Sequence, residues 1–223
     1  MGVLCDKLNQ CHWLNDQDKM NLSAELDRIE NQLKGCAFYP SLEDVLNAFT
    51  ELKHIPRIVI VGTDPYPDKR IATGIPFAVP EHTDTYPPTL KVLKQCFNLH
   101  KCDGGEWIRW MNKNRALLLN VSLTYLPNHR ERSFGIWREF VGMILERITE
   151  RNTHAVFWLM GAKAKMLEQY LQGKAYKVFC TCHPSRACCK GENDCYKMVW
   201  RQICALSNGK SEGLMARKNH GVD

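Results

Sequence analysis

A polar residue or a glycine, the types that recur in functional sites, ends or follows each of four separate apolar runs of this chain. Asp64 comes just after the first run, Asn120 ends the second, Gly161 follows the third and His183 follows the fourth. Carboxylates and imidazoles commonly move protons in active sites, and an amide presents both a donor and an acceptor to a ligand. If the runs are neighbouring parallel strands, these groups meet at the edge where such sheets bind ligands.

Each of these candidates also has a simpler structural interpretation. The segments Gly62–Pro67 and Gly74–Phe77 are rich in Gly and Pro, which indicates turns, and Asp64 could merely cap such a turn. Taken singly, the others could be core aromatics, turn formers or loop residues: Tyr66, Phe77, Asn120 and His183. Only their joint arrangement favours a functional site.

The elements that would position these residues begin with four predicted strands. Each run is rich in β-branched, aromatic or leucine residues and is too short for an independent helix. Because the apolarity is continuous rather than alternating, we expect strands covered on both faces, as in a parallel sheet. The four runs are Arg57–Gly62, Ala116–Asn120, Ala155–Met160 and Tyr176–Thr181.

Helical patterns lie between and around these strands. Apolar residues recur three and four apart, most strongly in Ile136–Ile148. Ser41 and Asp44 predict a capping box that opens a helix to about Leu52. Together the elements predict an α/β fold, a three-layer α/β/α sandwich around a central four-stranded parallel sheet. The remaining predicted helices are about 18–33, Thr89–Leu99, Ala162–Leu171 and Tyr196–Leu206.

Length and composition favour one intracellular domain. The 223 residues suit a single domain over 1–223 with a mobile polar tail from about 208. No apolar run approaches the roughly 18 residues of a membrane span, and the mixed N-terminus does not match a secretory signal. The 11 cysteines are therefore expected to be reduced thiols rather than a disulfide frame.

The net charge of +6 is confined to the C-terminal part of the chain. Lys163–Asp223 contains 11 Lys or Arg and 5 Asp or Glu, and the rest of the chain is balanced. Such a basic region suits a polyanion such as nucleic acid. A solvated surface that keeps the protein soluble is the equally simple alternative.

A metal site is the other chemistry that this region suggests. Five potential ligands lie close together, but they lack the paired C-x-x-C knuckles of structural zinc. We therefore expect no metal here, and no organic cofactor is expected either. These residues are Cys182, His183, Cys188, Cys189 and Cys195.

Six segments resemble the motifs of uracil-DNA glycosylases. Val61–Pro67 (VGTDPYP) is similar to the family's water-activating motif, Leu118–Thr124 to its LLLN-x-x-LT motif and His183–Ser185 to the HPS motif of its DNA-penetrating loop. They occur in family order from about residue 38 to residue 204, which is far more specific than any one motif. The other three are Gly74–Phe77 (stacking aromatic), Tyr86–Leu90 (proline-rich loop) and Phe157–Ala162 (strand and glycine–serine loop).

The resemblance, which is to the main uracil-specific branch, implies a role for each matching position. Asp64 matches the aspartate that steers the attacking water and offsets positive charge on the sugar. His183 matches the histidine that hydrogen-bonds uracil O2 as the base leaves as an anion. Asn120 matches the reader of the Watson–Crick edge, Phe77 the stacking aromatic, and Tyr66 the side chain that excludes thymine. The implied reaction is metal-independent hydrolysis of the N-glycosidic bond, leaving an abasic site and free uracil.

The same resemblance implies contacts to the damaged DNA strand. A base inside the duplex stack is inaccessible, so it must be rotated out while neighbouring phosphates are gripped. The implied DNA-binding residues are Pro87, Pro88, Thr89, Gly161, Ala162, Lys163, Ser185, Arg186 and Ala187.

The chain departs from the family pattern at three positions. Thr63 replaces the usual glutamine, so its backbone rather than its side chain is the expected uracil contact. Pro67 replaces the usual histidine, and this DPYP/GIPF variant is similar to poxvirus enzymes, some of which also serve as polymerase processivity subunits. Ala187 replaces the usual leucine wedge, so either Arg186 or another loop residue takes that task, or flipping is less assisted.

Two functions of different classes follow from these observations. The first is a monomeric glycosylase acting on uracil in single- or double-stranded DNA, and the second is a DNA-binding adaptor that tethers a polymerase. Retention of Asp64 and His183 favours the first, because an adaptor needs neither. A viral origin and a replication partner stay open, as does residence in the nucleus, at a site of DNA replication or in the cytoplasm. A nucleotide-binding domain is not supported, since the chain lacks G-x-x-x-x-G-K-[ST] and G-x-G-x-x-G motifs.

Overall fold

A single sheet of four parallel strands forms the centre of the computed structural model, which describes residues 2–173, 175–185 and 193–207. Each strand lies within one residue of its predicted bounds, so the predicted four-stranded parallel sheet is confirmed. The strands are β1 (Ile58–Gly62), β2 (Ala116–Asn120), β3 (Val156–Met160) and β4 (Lys177–Thr181). Their spatial order is β2-β1-β3-β4, with all neighbours parallel.

The expectation that all four strands are covered on both faces is correct for three and wrong for β4. Every residue of β1, β2 and β3 is buried. β4 lies at the edge of the sheet, and its Lys177 and Cys180 are exposed. β2, at the other edge, is fully buried because the helices Asn47–Glu51 and Gly104–Asn114 pack against it, whereas no helix of the described residues packs as extensively against β4.

Eight α-helices and one short 3-10 helix are present in the described residues, and they pack around the sheet in two groups. The ring of Phe49 in the third helix lies 6.2 Å from Trp13, in the loop between the first two helices, and 6.0 Å from Phe140 of the sixth. The ring of Phe97 lies 6.0 Å from Trp158 of β3 and 4.9 Å from Trp200, which ties the fourth and eighth helices to the sheet. This packing confirms the predicted α/β/α sandwich. The helices are α1 (Val3–Asn9), α2 (Asp16–Leu33), α3 (Asn47–Glu51), α4 (Pro88–Phe97), α5 (Gly104–Asn114), α6 (Arg130–Arg151), α7 (Ala162–Lys165), the 3-10 helix (Met166–Tyr170) and α8 (Asn193–Ser207).

The predicted helix from Ser41 to about Leu52 is wrong over its first half. The Ser41 hydroxyl donates to the Asp44 carboxylate, with 2.8 Å between Oγ and Oδ2. Neither side chain therefore satisfies the backbone N–H groups that a capping box must satisfy. The chain makes turns over this stretch, and the helix begins only at Asn47.

Other helices differ from the prediction at their ends or were not predicted. A capping box does open α2, formed by Asn15 and Asp18. The short α1 was not predicted, and neither was α5, which Asp103 caps by accepting from the Glu106 N–H at 2.8 Å. The predicted helix Ala162–Leu171 divides into α7 and the 3-10 helix.

A buried polar network fixes the loop after β2 to the start of α6. Ser122 and Ser133 hydroxyls lie 2.8 Å apart, and the Ser133 hydroxyl also donates to the Thr124 carbonyl at 2.6 Å. The Trp137 indole N–H donates to the Thr124 hydroxyl at 2.7 Å. Because all four side chains are buried, these bonds hold the first turns of α6 against the carboxyl end of the sheet.

Some expectations fall outside what the described residues test. The single-domain assignment stays a prediction, and the tail from 208 lies outside the described residues. In the described part of the chain, no helix has both the length and the apolar character needed to span a bilayer.

The network predicts the effect of Thr124→Val. The substitution removes the acceptor of the buried Trp137 N–H, so we expect the free energy of unfolding to fall by about 1–3 kcal/mol in chemical denaturation. Thr153→Val, at an exposed position, is the control and should change it by less than about 0.5 kcal/mol. Equal effects of the two substitutions would contradict the role assigned to the network.

Candidate active site

The carboxyl ends of the strands and the loops that follow them enclose one cavity of about 190 Å³. This is smaller than the roughly 300–1,000 Å³ of pockets that hold drug-sized ligands, and it suits a single small ring. The sequence-predicted residues Asp64, Asn120 and His183 all line it, although they lie on three different segments. Its lining also contains Thr63, Tyr66, Phe77, Thr89 and Ser185.

The floor of the cavity depends on a glycine at the end of β1. Gly62 and Asn120 are paired in the β1–β2 register. A Cβ on Gly62 would lie 2.6 Å from the Asn120 Oδ1 and 2.8 Å from the Phe77 Cζ. No residue with a side chain fits there without displacing one of the two. Glycine thus lets the amide and the ring approach the same backbone position.

Phe77 has an uncommon backbone conformation, with φ of +68°. Bulky residues rarely adopt this left-handed region, and when they do it often marks a functional site. Phe77 is 7% exposed, and its ring centroid lies 6.2 Å from that of Trp107 in α5. The Tyr66 hydroxyl donates to the Phe77 carbonyl at 3.4 Å, and burial raises the pKa of that phenol well above its usual value. Phe77 and Tyr66 are therefore fixed together beside the cavity.

Asp64 forms an ion pair that its sequence neighbours do not indicate. Arg130, the first residue of α6, places Nη2 2.7 Å from Oδ1 and Nε 2.5 Å from Oδ2 of Asp64. The aspartate side chain is 9% exposed and the arginine side chain 56%. Hydrogen bonds to this carboxylate raise the pKa of the Arg130 guanidinium. The carboxylate thus lines the cavity in a bidentate pair that occupies both of its oxygens.

The hydrogen bonds of His183 determine which nitrogen carries its proton. The Ser185 backbone N–H donates to His183 Nδ1 at 3.3 Å, and the Ser185 hydroxyl lies 2.7 Å from the same nitrogen. A backbone N–H can only donate, so Nδ1 accepts and the neutral imidazole carries its proton on Nε2. Ser185, predicted as a phosphate contact, therefore also orients the histidine.

The glycine after β3 also supports His183. Gly161 has φ of +96°, and a Cβ there would lie 3.0 Å from the His183 Cβ. The loops after β3 and β4 approach so closely here that little room is left for a side chain at position 161. Gly161 therefore lies near His183 but does not line the cavity.

The predicted DNA-binding residues occupy several places around this region. Pro87 and Pro88 form the start of α4, and the buried Thr89 lines the cavity. Gly161 and Ala162 form the start of α7, and the Lys163 ammonium pairs with Glu131 at 2.6 Å. Arg186 and Ala187 lie outside the described residues, as do Cys188 and Cys189 of the weighed metal cluster.

Sequence reasoning missed two residues of the site. Arg130 carries a signal in hindsight, because a cation in the first turn of a helix opposes the helix dipole and calls for a nearby anion. Trp107 supports Phe77 from α5, and the sequence holds no local signal for that contact because α5 itself was not predicted.

Comparison with known proteins gives one consistent result. A family model described as the uracil DNA glycosylase superfamily matches residues 49–204. The chain is 32% identical over 198 residues to a uracil-DNA glycosylase of Azotobacter vinelandii, which covers 83% of this chain and 84% of the relative. It is 30% identical over 166 residues to one of Fusobacterium nucleatum, covering 71% and 72%.

Solved structures with low sequence identity share the fold. A mimivirus uracil-DNA glycosylase superposes with a TM-score of 0.64 at 20% identity, covering 77% of this chain and 70% of that one. Wild-type UNG from Nitratifractor salsuginis gives a TM-score of 0.63 at 17% identity, covering 89% and 94%. The resemblance to the poxvirus variant is not confirmed by these comparisons.

The glycine at the end of β1 allows a matched pair of substitutions. Gly62→Ala places a methyl group against Asn120 and Phe77, so we expect the free energy of unfolding to fall by about 1–3 kcal/mol. Gly135→Ala lies on the exposed face of α6 with nothing within 4 Å of its Cβ, and it should raise stability by about 0.5–1 kcal/mol. Chemical denaturation measures both. A stabilising Gly62→Ala would contradict the close packing at the cavity floor.

Proposed function

This chain belongs to the uracil-DNA glycosylase superfamily, and we propose that it hydrolyses the N-glycosidic bond of a uracil rotated out of DNA. The products are free uracil and an abasic site. The single observation that carries the proposal is that Asp64, Asn120 and His183, from three separate segments, line one cavity. Membership of the family indicates the reaction, and the residues that line the cavity are the groups that this chain would use for it.

Asp64 and His183 stabilise the opposite charges that develop as the bond breaks. Cleavage builds positive charge on the sugar and negative charge on the departing base. The Asp64 carboxylate offsets the first and directs a water molecule to the anomeric carbon. The His183 Nε2–H donates to uracil O2 and stabilises the second. Fixed charges and donors of this kind are effective because they need no reorganisation during the reaction.

The remaining residues of the cavity select the base. The Asn120 amide offers a donor and an acceptor to the Watson–Crick edge of uracil, and a wrong base leaves this buried amide unpaired at a cost of about 1–3 kcal/mol. Phe77 supplies the stacking face. Tyr66, held by the Phe77 carbonyl, occupies the space that the C5 methyl group of thymine would need, and the backbone of Thr63 completes the contact.

The DNA strand is held by residues at the rim. Thr89 and Ser185 reach the cavity itself, while Pro87, Pro88, Gly161, Ala162 and Lys163 begin the neighbouring helices α4 and α7. Pro87 and Pro88 have no backbone N–H to donate, so they would contact the strand by packing. Thr89, Lys163 and Ser185, in contrast, carry side-chain donors for phosphates. This placement supports their proposed role as backbone contacts.

The adaptor function is the second candidate, and it is less well supported. A protein that only tethers a polymerase has no use for a cavity in which an aspartate, an amide and a histidine converge. The DPYP/GIPF resemblance to poxvirus enzymes keeps a replication partner as a proposal, and measurement of uracil release separates the two candidates directly.

The first activity prediction concerns Asp64→Asn and His183→Leu. Each removes one stabiliser of the transition state, so each should lower the single-turnover rate of uracil release by roughly 100- to 1,000-fold. The assay uses a uracil-containing oligonucleotide with EDTA, followed by alkali. Asp6→Asn and His54→Leu are exposed controls that should keep the wild-type rate. Wild-type protein that leaves the strand intact under alkali would refute the proposed function.

The second activity prediction concerns Tyr66. Tyr66→Ala opens space beside the pyrimidine C5, so the preference for uracil over thymine should fall by at least about tenfold, the discrimination that one methyl group typically gives. Tyr66→Phe keeps the ring and loses only the hydroxyl contact to Phe77, and it should remain uracil-specific. The rates of thymine and uracil release are compared on matched oligonucleotides. Thymine release by the Phe variant alone would be inconsistent with exclusion by the ring.

A further inference from the structure

We propose that Arg130 is a DNA-displaced counterion. In the free protein its guanidinium binds both oxygens of the Asp64 carboxylate. When DNA binds, the guanidinium moves to a phosphate of the strand, and the carboxylate becomes available for catalysis. The inference rests on the proposed function, because it assigns a regulator to the same aspartate.

The ion pair with Arg130 leaves Asp64 unfit for the role proposed for it. Arg130 donates to both carboxylate oxygens, at 2.7 Å and 2.5 Å. A carboxylate engaged in this way has fewer lone pairs with which to orient a water molecule. Its negative charge is also balanced by an adjacent cation. A guanidinium at this position would repel the positive charge that develops on the sugar, so the reaction requires Arg130 to move.

The Arg130 side chain is able to move, whereas the Asp64 side chain is not. The arginine side chain is 56% exposed at the mouth of the cavity, whereas the aspartate side chain is 9% exposed. The guanidinium carbon already lies 5.8 Å from the centre of the Phe134 ring. This aromatic face offers a cation a favourable position beside the mouth. The pair can therefore open by rotation of the arginine alone.

A DNA phosphate is a suitable new partner for the Arg130 guanidinium. Arginine binds carboxylates and phosphates through the same bidentate geometry. Arg130 begins the 22-residue helix α6, whose N-cap residue His129 makes no side-chain cap. The Lys163 ammonium lies 4.9 Å from the same Phe134 ring. Two cations therefore flank this ring, Lys163 in a pair with Glu131, and the proposed exchange requires the strand backbone to pass here.

The exchange makes catalysis dependent on the correct ligand. Without DNA, the ion pair satisfies a nearly buried carboxylate that would otherwise be destabilised. With DNA, a phosphate of the bound strand removes the arginine before the glycosidic bond is broken. Arg130 acts through Asp64 and the DNA backbone, so it is a positioning residue rather than a catalytic one.

The test compares Arg130→Gln with wild-type protein on two single-stranded uracil oligonucleotides. One has ordinary phosphates, and the other has uncharged methylphosphonate linkages on both sides of the uracil. The neutral strand cannot remove Arg130, so Arg130→Gln should raise kcat/KM there by about 1.4- to 5-fold, the equivalent of an exposed ion pair. On the ordinary strand the variant should show a higher KM and no such gain.

A binding measurement provides a readout that a merely structural role would not change. For the ordinary strand without uracil, the slope of log affinity against log salt should become shallower by about 0.7 in Arg130→Gln, as expected for one lost phosphate contact. Arg130→Lys keeps the charge without the bidentate geometry. It should retain the wild-type salt slope and show less of the gain on the neutral strand than Arg130→Gln, because its ammonium still balances the Asp64 charge.

Arg132→Gln is the matched control, since it removes the same charge two residues away, where Arg132 donates to the Gln32 carbonyl. It should match wild-type protein in kcat/KM on both strands and in the salt slope of binding. If Arg130→Gln fails to exceed wild-type activity on the neutral strand, or retains the wild-type salt slope, the counterion proposal is overturned while the glycosylase function stands. If wild-type protein releases no uracil from the ordinary strand, the proposed function fails as well.

Discussion

The close approach of Asn120 and Phe77 over Gly62 is the constraint on which the candidate site depends. Gly62 and Asn120 are the last paired residues of β1 and β2. Gly62 has no side chain that would push Asn120 and Phe77 away from its backbone. The Asn120 amide and the Phe77 ring can therefore lie against the same backbone position. Sheet register fixes the amide, and the left-handed backbone of Phe77 fixes the ring. A base-reading group and a stacking surface thus follow directly from the geometry of one strand end.

The ionisable groups around this floor, Asp64 and His183, are each held by a neighbouring residue that has more than one role. Ser185 accounts for the tautomer of His183 through two contacts to Nδ1, and Arg130 holds both oxygens of Asp64. The buried network of Ser122, Thr124, Ser133 and Trp137 fixes α6, and so determines where Arg130 begins that helix. The electrostatics of the site therefore depend on elements that do not themselves line the cavity.

Much of this arrangement was predictable from the sequence, because its signals are local. Continuous apolar runs located all four strands to within one residue, and the polar residues after them met at one edge, as parallel strands require. What failed has both local and longer-range causes. The Ser41 hydroxyl bonds to the Asp44 side chain three residues away instead of a helix end. β4 is partly exposed because no helix of the described residues covers it as α3 and α5 cover β2. The Arg130–Asp64 pair joins residues 66 positions apart, and no local pattern specifies such a partner.

The most direct test of the central claim is a crystal structure of this protein with its product, free uracil. The account predicts a uracil ring in the cavity, stacked on Phe77, with its amide edge paired to Asn120. It also predicts uracil O2 about 2.7–3.2 Å from His183 Nε2. A uracil bound outside this cavity, or one whose O2 lies away from the imidazole, would contradict the account.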